Sequence, residues 1–330
     1  MSVPENPLEK APLEPPLRST GGSARRSFLE QAARFAAWAG GVWLASPLGA
    51  TSPRARDEGA SASGEEVPFV PTPERVVRRM LQLAEVTERD VVWDLGSGDG
   101  RIVIAAARDF GARAVGYEID RSLVELSRRN ARRAGVAQRA VFIERDLFTL
   151  DFSAPSVVTL YLLPEANLQL RPRLLSQLRP GSRIVSHEWD MGDWPPDETL
   201  TIYNEEKPHG TTREHRVFLW VVPAQVAGRW AVRIERRGGP LALNLDIEQR
   251  YQRLSVRADR GEVRWARLTG TRLDLAWRER ADGGERLVLR GEIAKRRGTF
   301  VWLGEAFSDG WSLTLAGTRI ARFTGNRLSE

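Results

Sequence analysis

Val91-Val92-Trp93-Asp94-Leu95-Gly96-Ser97-Gly98-Asp99-Gly100-Arg101-Ile102-Val103-Ile104-Ala105-Ala106-Ala107 decides the fold. A β-branched run ends on an acid, three glycines follow at alternate positions, and an apolar, alanine-rich stretch continues without a break. Strand, glycine turn and helix in that order form a nucleotide-binding context. Glycine lets the backbone turn sharply and approach a ligand without a Cβ in the way, and a helix N-terminus offers N–H groups to an oxygen-rich ligand. Arg101 stands where a dinucleotide fold wants its third glycine, which argues against NAD.

Outward from this turn, residues 68–223 alternate short β-branched runs with helical stretches, the pattern of an α/β fold with a parallel sheet covered by helices. Thr72-Pro73-Glu74 predicts a helix to about Leu83, with Thr72 as N-cap, Pro73 at the first helical position and Val76, Val77, Met80, Leu81 and Leu83 along one face. Strands are expected at 90–93, 114–117, 140–143, 157–160 and 183–186. The first three run into the acids Asp94, Glu118 and Asp146. Glu118 is placed to accept from two ribose hydroxyls. Asp146 is placed to meet an adenine amino group while Leu147 covers the ring. With Gly96, Ser97, Gly98 and Gly100, these acids point to S-adenosylmethionine as cofactor; each acid taken singly also suits a loop carboxylate or a helix cap.

Four segments carry a family resemblance: Val67-Pro68-Phe69-Val70-Pro71-Thr72-Pro73, the turn at 94–101, Tyr161-Leu162-Leu163-Pro164, and Ser186-His187-Glu188-Trp189-Asp190-Met191. Together they resemble the lysine methyltransferases that modify the mitochondrial ATP synthase c subunit and the adenine nucleotide translocase, and their bacterial relatives, over roughly residues 67–222. The resemblance implies a class I S-adenosylmethionine-dependent, Rossmann-like methyltransferase with a protein lysine as acceptor. Within the same chemistry the alternative is a small-molecule methyltransferase; from another class, it is an exported, non-catalytic binding module. No nucleic-acid partner is expected, because 161–164 lacks the Asn/Asp-Pro-Pro-aromatic form associated with amino-group methylation of bases and amides.

Methyl transfer to an amine is an in-line displacement, so the protein has to position, desolvate and deprotonate the nucleophile. Tyr161 ends the fourth strand, where this fold places its acceptor. If the chain stays extended past the fifth strand, alternation puts Glu188 and Asp190 on one face, either one able to hold an ammonium or relay its proton. The expected catalytic set is therefore Tyr161, Glu188 and Asp190, ranked above His187. Trp189 and Trp194 suit either cation–π contacts or core packing. His187, His209 and His215 are too scattered to predict a metal site, and none is expected; the absence of cysteine excludes disulfides, thiol catalysis and thiolate ligation.

Two flanking regions differ in character. Residues 1–50 contain Ser23-Ala24-Arg25-Arg26-Ser27-Phe28-Leu29 before a modest apolar run, resembling a twin-arginine export signal, with Leu48-Gly49-Ala50 as a small-residue cleavage site and 51–66 as a linker. This predicts export or proximity to a membrane; a cytoplasmic chain with an amphipathic N-terminal helix is the alternative. Residues 227–330 read as eight short alternating strands without a helix, an all-β barrel or sandwich, with Asp282-Gly283-Gly284 as a hairpin signal. They carry 21 Lys+Arg against 13 Asp+Glu, more than the whole chain's formal surplus of +6, but the charges interleave as on a solvated surface. That segment is open to binding a substrate, a lipid-like ligand or a partner, or to acting as a stabilising appendage.

Overall fold

The computed structural model describes residues 69–204, 213–235, 239–279, 285–296, 299–308 and 311–321. The export-signal and linker readings, Val67, Pro68, His209 and the Asp282-Gly283-Gly284 turn lie outside the described residues.

The first sheet follows the alternation in the sequence. Helix α1 (Glu74–Leu83) precedes β1 (Val91–Leu95), α2 (Arg101–Asp109), β2 (Arg113–Glu118), α3 (Arg121–Arg133), β3 (Ala140–Glu144), β4 (Val157–Leu160), α4 (Pro164–Gln177) and β5 (Arg183–His187). Two further strands that the sequence pattern does not predict, β6 (Glu198–Tyr203) and β7 (Glu214–Val221), complete a seven-stranded sheet of order β3-β2-β1-β4-β5-β7-β6. Strands β1 to β5 run parallel, while β7 is antiparallel to both β5 and β6. The order reverses at β1/β4, so the crevice beyond their carboxyl ends is the place where such sheets take ligands. β4 is buried along its whole length, as a central parallel strand covered on both faces must be.

One cap differs from expectation. Pro73 occupies the N-cap of α1 and no side chain caps it. Thr72 is buried, and its Oγ1 lies 3.2 Å from Nδ1 of His187, so its hydroxyl serves the sheet rather than the helix.

The second sheet contains β8 (Gly228–Ile234), β9 (Leu241–Arg250), β10 (Arg253–Ala258), β11 (Glu262–Thr269), β12 (Arg272–Arg278), β13 (Arg286–Arg296), β14 (Thr299–Ser308) and β15 (Trp311–Ala321). All its neighbours are antiparallel, in the order β10-β9-β8-β15-β14-β13-β12-β11, and the edge strands β10 and β11 approach each other to give a nearly closed barrel. Alternation builds its core: Trp230, Val232 and Ile234 of β8 and Leu241, Leu243, Leu245 and Ile247 of β9 are buried, with exposed or partly exposed residues between them. Trp230, Trp277 and Trp302 are among the largest fully buried side chains. Gly291 and Gly304 face each other across β13 and β14; a Cβ on Gly304 would lie 1.9 Å from the Arg290 carbonyl oxygen, so the glycine pair lets the strands approach there.

Both sheets belong to one compact unit. The tip between β9 and β10 meets the loop after β5: Trp194 Nε1 donates to Gln252 Oε1 (3.0 Å), Gln252 Nε2 donates to the Pro195 carbonyl (2.7 Å), and the Tyr251 ring stacks on Trp194. Tyr251 holds a left-handed φ of 55°, uncommon for a bulky residue and retained here by its contacts on both sides. Among the described residues no helix is long and apolar enough to cross a membrane.

Candidate active site

The glycine turn is a shaped backbone surface. Gly96, Gly98 and Gly100 have φ of 76°, 53° and 82°, a region that favours glycine. A Cβ on Gly98 would meet the Phe69 ring at 2.1 Å, and one on Gly100 would meet Phe142 at 2.6 Å. The expectation of free amides for an oxygen-rich ligand needs correction. Gly96 and Ser97 N–H both donate to the Tyr117 carbonyl, Gly98 N–H to Glu118 Oε2 (2.9 Å), and Arg101 N–H to Asp99 Oδ1. Arg101 adds an ion pair to Asp99 and donates to the Thr72 carbonyl (2.8 Å), fastening the turn to the segment before α1. A turn with its amides so engaged suits a nucleoside better than a pyrophosphate.

The three acids stand at adjoining strand ends because β3, β2 and β1 are neighbours. Asp94 is buried and accepts from Thr159 Oγ1 (2.7 Å) on the next strand. Burial pushes its carboxyl up to about 7 against the Thr159 hydrogen bond, helped by the charges of Glu118 and Asp99. Glu118 is half-buried and oriented by three backbone donors, Gly98, Ile119 and Asp120. Asp146 is exposed and caps a short 3₁₀ turn by accepting from Phe148 N–H (2.8 Å); Leu147 begins that turn and packs on the core beneath. Ser97 Oγ is buried with no hydrogen-bond partner among the described residues, a polar atom left over at the turn. Acids for a ribose diol and for amino groups, on a glycine turn whose Gly96 lies so close to Leu162 that a Cβ there would meet it at 2.9 Å, fit S-adenosylmethionine.

Beyond β4 and β5 the geometry departs from expectation. The Tyr161 ring packs on His187 with centroids 4.1 Å apart. His187, ranked below its neighbours, is fully buried at the centre of a cluster. Its Nε2 lies 3.1 Å from Nδ1 of His215 on β7, and Glu188 Oε1 lies 3.1 Å from that Nδ1 and 3.4 Å from His187 Nε2. Histidines far apart in sequence thus meet, together with a carboxylate, in an arrangement able to hold a metal ion. The missing signal was β7: His187 pairs with Val217, so His215, two residues away, is its diagonal neighbour on the same face. Burial keeps His187 below the usual imidazole range. Burial alone would raise the Glu188 carboxyl, but hydrogen bonds from both histidines hold it well below the usual range. Burial, and then Glu188, push the Tyr161 hydroxyl up to about 12.

Glu188 and Asp190 do not share a face. The strand ends at His187, Glu188 turns into the left-handed region (φ 65°), and Trp189 N–H donates to the His187 carbonyl (2.9 Å), a tight turn that aims the Glu188 carboxylate back at the histidines. Asp190 is exposed and accepts from Gly192 N–H, a loop-fixing role. Asn167 and Arg171, one turn apart on α4, hold this loop: Asn167 Nδ2 donates to Ser186 Oγ and the Trp189 carbonyl, Arg171 to the Met191 carbonyl. Trp194 is fully buried against Trp220 and Tyr251, which makes it core rather than a cation–π partner.

A parallel sheet reversing at β1/β4, a nucleoside-shaped glycine turn and acids at three strand ends define a class I S-adenosylmethionine-dependent methyltransferase. Residues 94–198 match the ANTKMT methyltransferase domain. A protein-lysine N-methyltransferase of Saccharolobus islandicus is 43% identical over 157 residues, 47% of this chain and 94% of the relative, and on that extent the chain belongs to this methyltransferase family. The Mus musculus lysine N-methyltransferase of the ATP synthase c subunit is 39% identical over 40% of this chain and 53% of its own length, so the chain spans about half of that relative. A solved RNA methyltransferase from Salinibacter ruber, in complex with S-adenosyl-L-homocysteine, is 52% identical over 48% of this chain and 96% of that one, with a TM-score of 0.43.

Proposed function

We propose that the chain transfers the methyl group of S-adenosylmethionine to the ε-amino group of a protein lysine. The observation that carries this reading is the 43% identity that extends over 94% of a protein-lysine N-methyltransferase. In this reading Asp94, Glu118, Asp146 and Leu147, with Gly96, Ser97, Gly98 and Gly100, hold the cofactor. When bound, it supplies a methyl carbon activated by a sulfonium. Tyr161 lines the acceptor end, where its half-buried, un-ionised ring keeps water from the amine, and the cluster of His187, His215 and Glu188 behind it sets the local charge. Exclusion of water by the Tyr161 ring lowers the pKa of an entering amine, the direction nucleophilic attack requires. Asp190 has no part in this set.

The experiment is transfer of labelled methyl from S-adenosylmethionine into lysine-containing proteins, read by acid hydrolysis and amino-acid analysis. Label recovered as ε-N-methyl-lysine supports the reading; label found only in RNA or in small molecules overturns it. We further propose that residues 1–50 direct export through their paired Arg25 and Arg26, bringing the enzyme close to a membrane. Fractionation of cells expressing the chain tests this, with the Arg25→Lys/Arg26→Lys variant expected to stay inside.

A further inference from the structure

We infer that His187, His215 and Glu188 form a binding site for a divalent transition-metal ion of the zinc class. Their ligand atoms make a nearly equilateral triangle: His187 Nε2 to His215 Nδ1 is 3.1 Å, His215 Nδ1 to Glu188 Oε1 is 3.1 Å, and His187 Nε2 to Glu188 Oε1 is 3.4 Å. A tetrahedral ion bonded at about 2.0–2.1 Å holds its ligands about 3.3 Å apart, so an ion just off the plane of this triangle reaches all three with little movement. Two imidazoles with one carboxylate select a borderline ion over magnesium or calcium, which prefer oxygen.

One of the two imidazoles is held from outside the triangle, while His215 Nε2 is buried with no partner among the described residues. His187 Nδ1 pairs with Thr72 Oγ1 at 3.2 Å, the contact by which a ligating imidazole is held in orientation. The ladder between β5 and β7 fixes the backbone of His187 opposite Val217, that between β6 and β7 fixes His215 opposite Ile202, and the left-handed φ of Glu188 turns its side chain toward them instead of along the strand. Three protein ligands leave a coordination position open. The site lies against the Tyr161 ring, which packs on His187, so a bound cation adds a positive charge near the acceptor end and disfavours the ammonium form of an amine there. The inference rests on the triangle and not on the identity of the methyl acceptor.

The test uses the full, tag-free chain after chelator treatment, titrated with Co(II) and Zn(II). One equivalent of Co(II) is expected to bind with visible ligand-field bands, and Zn(II) to raise the melting temperature by mass action. His215→Ala is expected to abolish the bands. Glu188→Gln, which preserves size, is expected to weaken Co(II) at least about tenfold while its circular dichroism stays that of the unaltered chain. Absence of both ligand-field bands and a Zn(II) thermal shift overturns the inference, as does Co(II) binding unchanged in both variants.

Discussion

The two sheets bury different things. All the buried polar or charged side chains among the described residues, including Asp94, Ser97, Asn167, His187 and His215, lie between Thr72 and His215. The barrel instead buries Trp230, Trp277, Trp302 and rows of leucine, and among the described residues it buries no polar or charged side chain. A polar group away from water costs free energy unless it is paired. The parallel-sheet region pairs Asp94 with Thr159 and His187 with Thr72 and His215 near the carboxyl ends of its strands and leaves Ser97 Oγ, Asn167 Oδ1 and His215 Nε2 without a partner among the described residues, whereas the barrel contributes packing and a hairpin tip that grips one loop of its neighbour.

The largest effect should separate the two regions by stability. Trp302→Ala in the barrel is expected to cost roughly 3–5 kcal/mol in denaturant unfolding. Trp302→Phe should cost far less, because the indole Nε1 is buried without a partner among the described residues and its removal relieves that cost. Neither should change S-adenosylmethionine affinity while the protein is folded; a large loss of affinity in folded Trp302→Phe would break the comparison.

The converse holds for the turn. Glu118→Ala is expected to weaken S-adenosylmethionine by about 10- to 100-fold, on the order of 1.5–3 kcal/mol for hydrogen bonds to a charged group. Its melting temperature should shift less than that of Trp302→Ala. Titration calorimetry beside a thermal melt makes both measurements.

Asp94 gives a smaller, pH-dependent effect. Its folded pKa is raised to about 7, so its contribution to the stability of the ligand-free protein is fully present below the ordinary carboxylate value near 3.8 and is lost as pH rises through 7. The expected slope between these values is at most about 1.4 kcal/mol per pH unit. A cationic ligand favours the carboxylate, so S-adenosylmethionine binding should strengthen from pH 6 to 8 with proton release, detectable in buffers of different ionisation enthalpy. Asp94→Asn should flatten both profiles; unchanged profiles would remove Asp94 from the site.

The smallest effect sharpens the link that the hairpin tip makes between the regions. Asp193 accepts from Arg250 Nη2 (2.6 Å) and Tyr251 Oη (3.1 Å) at the hairpin tip, and pairs with Arg171 on α4. Asp193→Ala is expected to raise KM for the methyl acceptor by about 3- to 10-fold, roughly 0.5–1.5 kcal/mol, without altering cofactor affinity. An unchanged KM would make the contact purely structural.

Legibility in the sequence followed the range of the interactions involved. The glycine turn, the acids at three strand ends and the eight strands beyond Gly228 were readable because each depends on near neighbours: φ preference at Gly96, Gly98 and Gly100, and period-two alternation in β8 and β9. Thr72 looked like a cap because the cap pattern is local, yet a histidine on β5 claims its hydroxyl. Glu188 and Asp190 looked like one face because alternation assumes an extended chain, which the turn at Glu188 interrupts.

The sequence by itself determined the class of fold, the glycine turn and the all-β nature of the C-terminal region, since backbone conformation and side-chain periodicity are written residue by residue. Only the tertiary structure decided that His187, His215 and Glu188 meet, that Glu188 turns off the face it would share with Asp190, and that Trp194 is core. Those outcomes depend on β7 running antiparallel beside β5 and on a hairpin docking from a second sheet. Contacts between strands far apart in the chain arise from packing, and no local pattern encodes them.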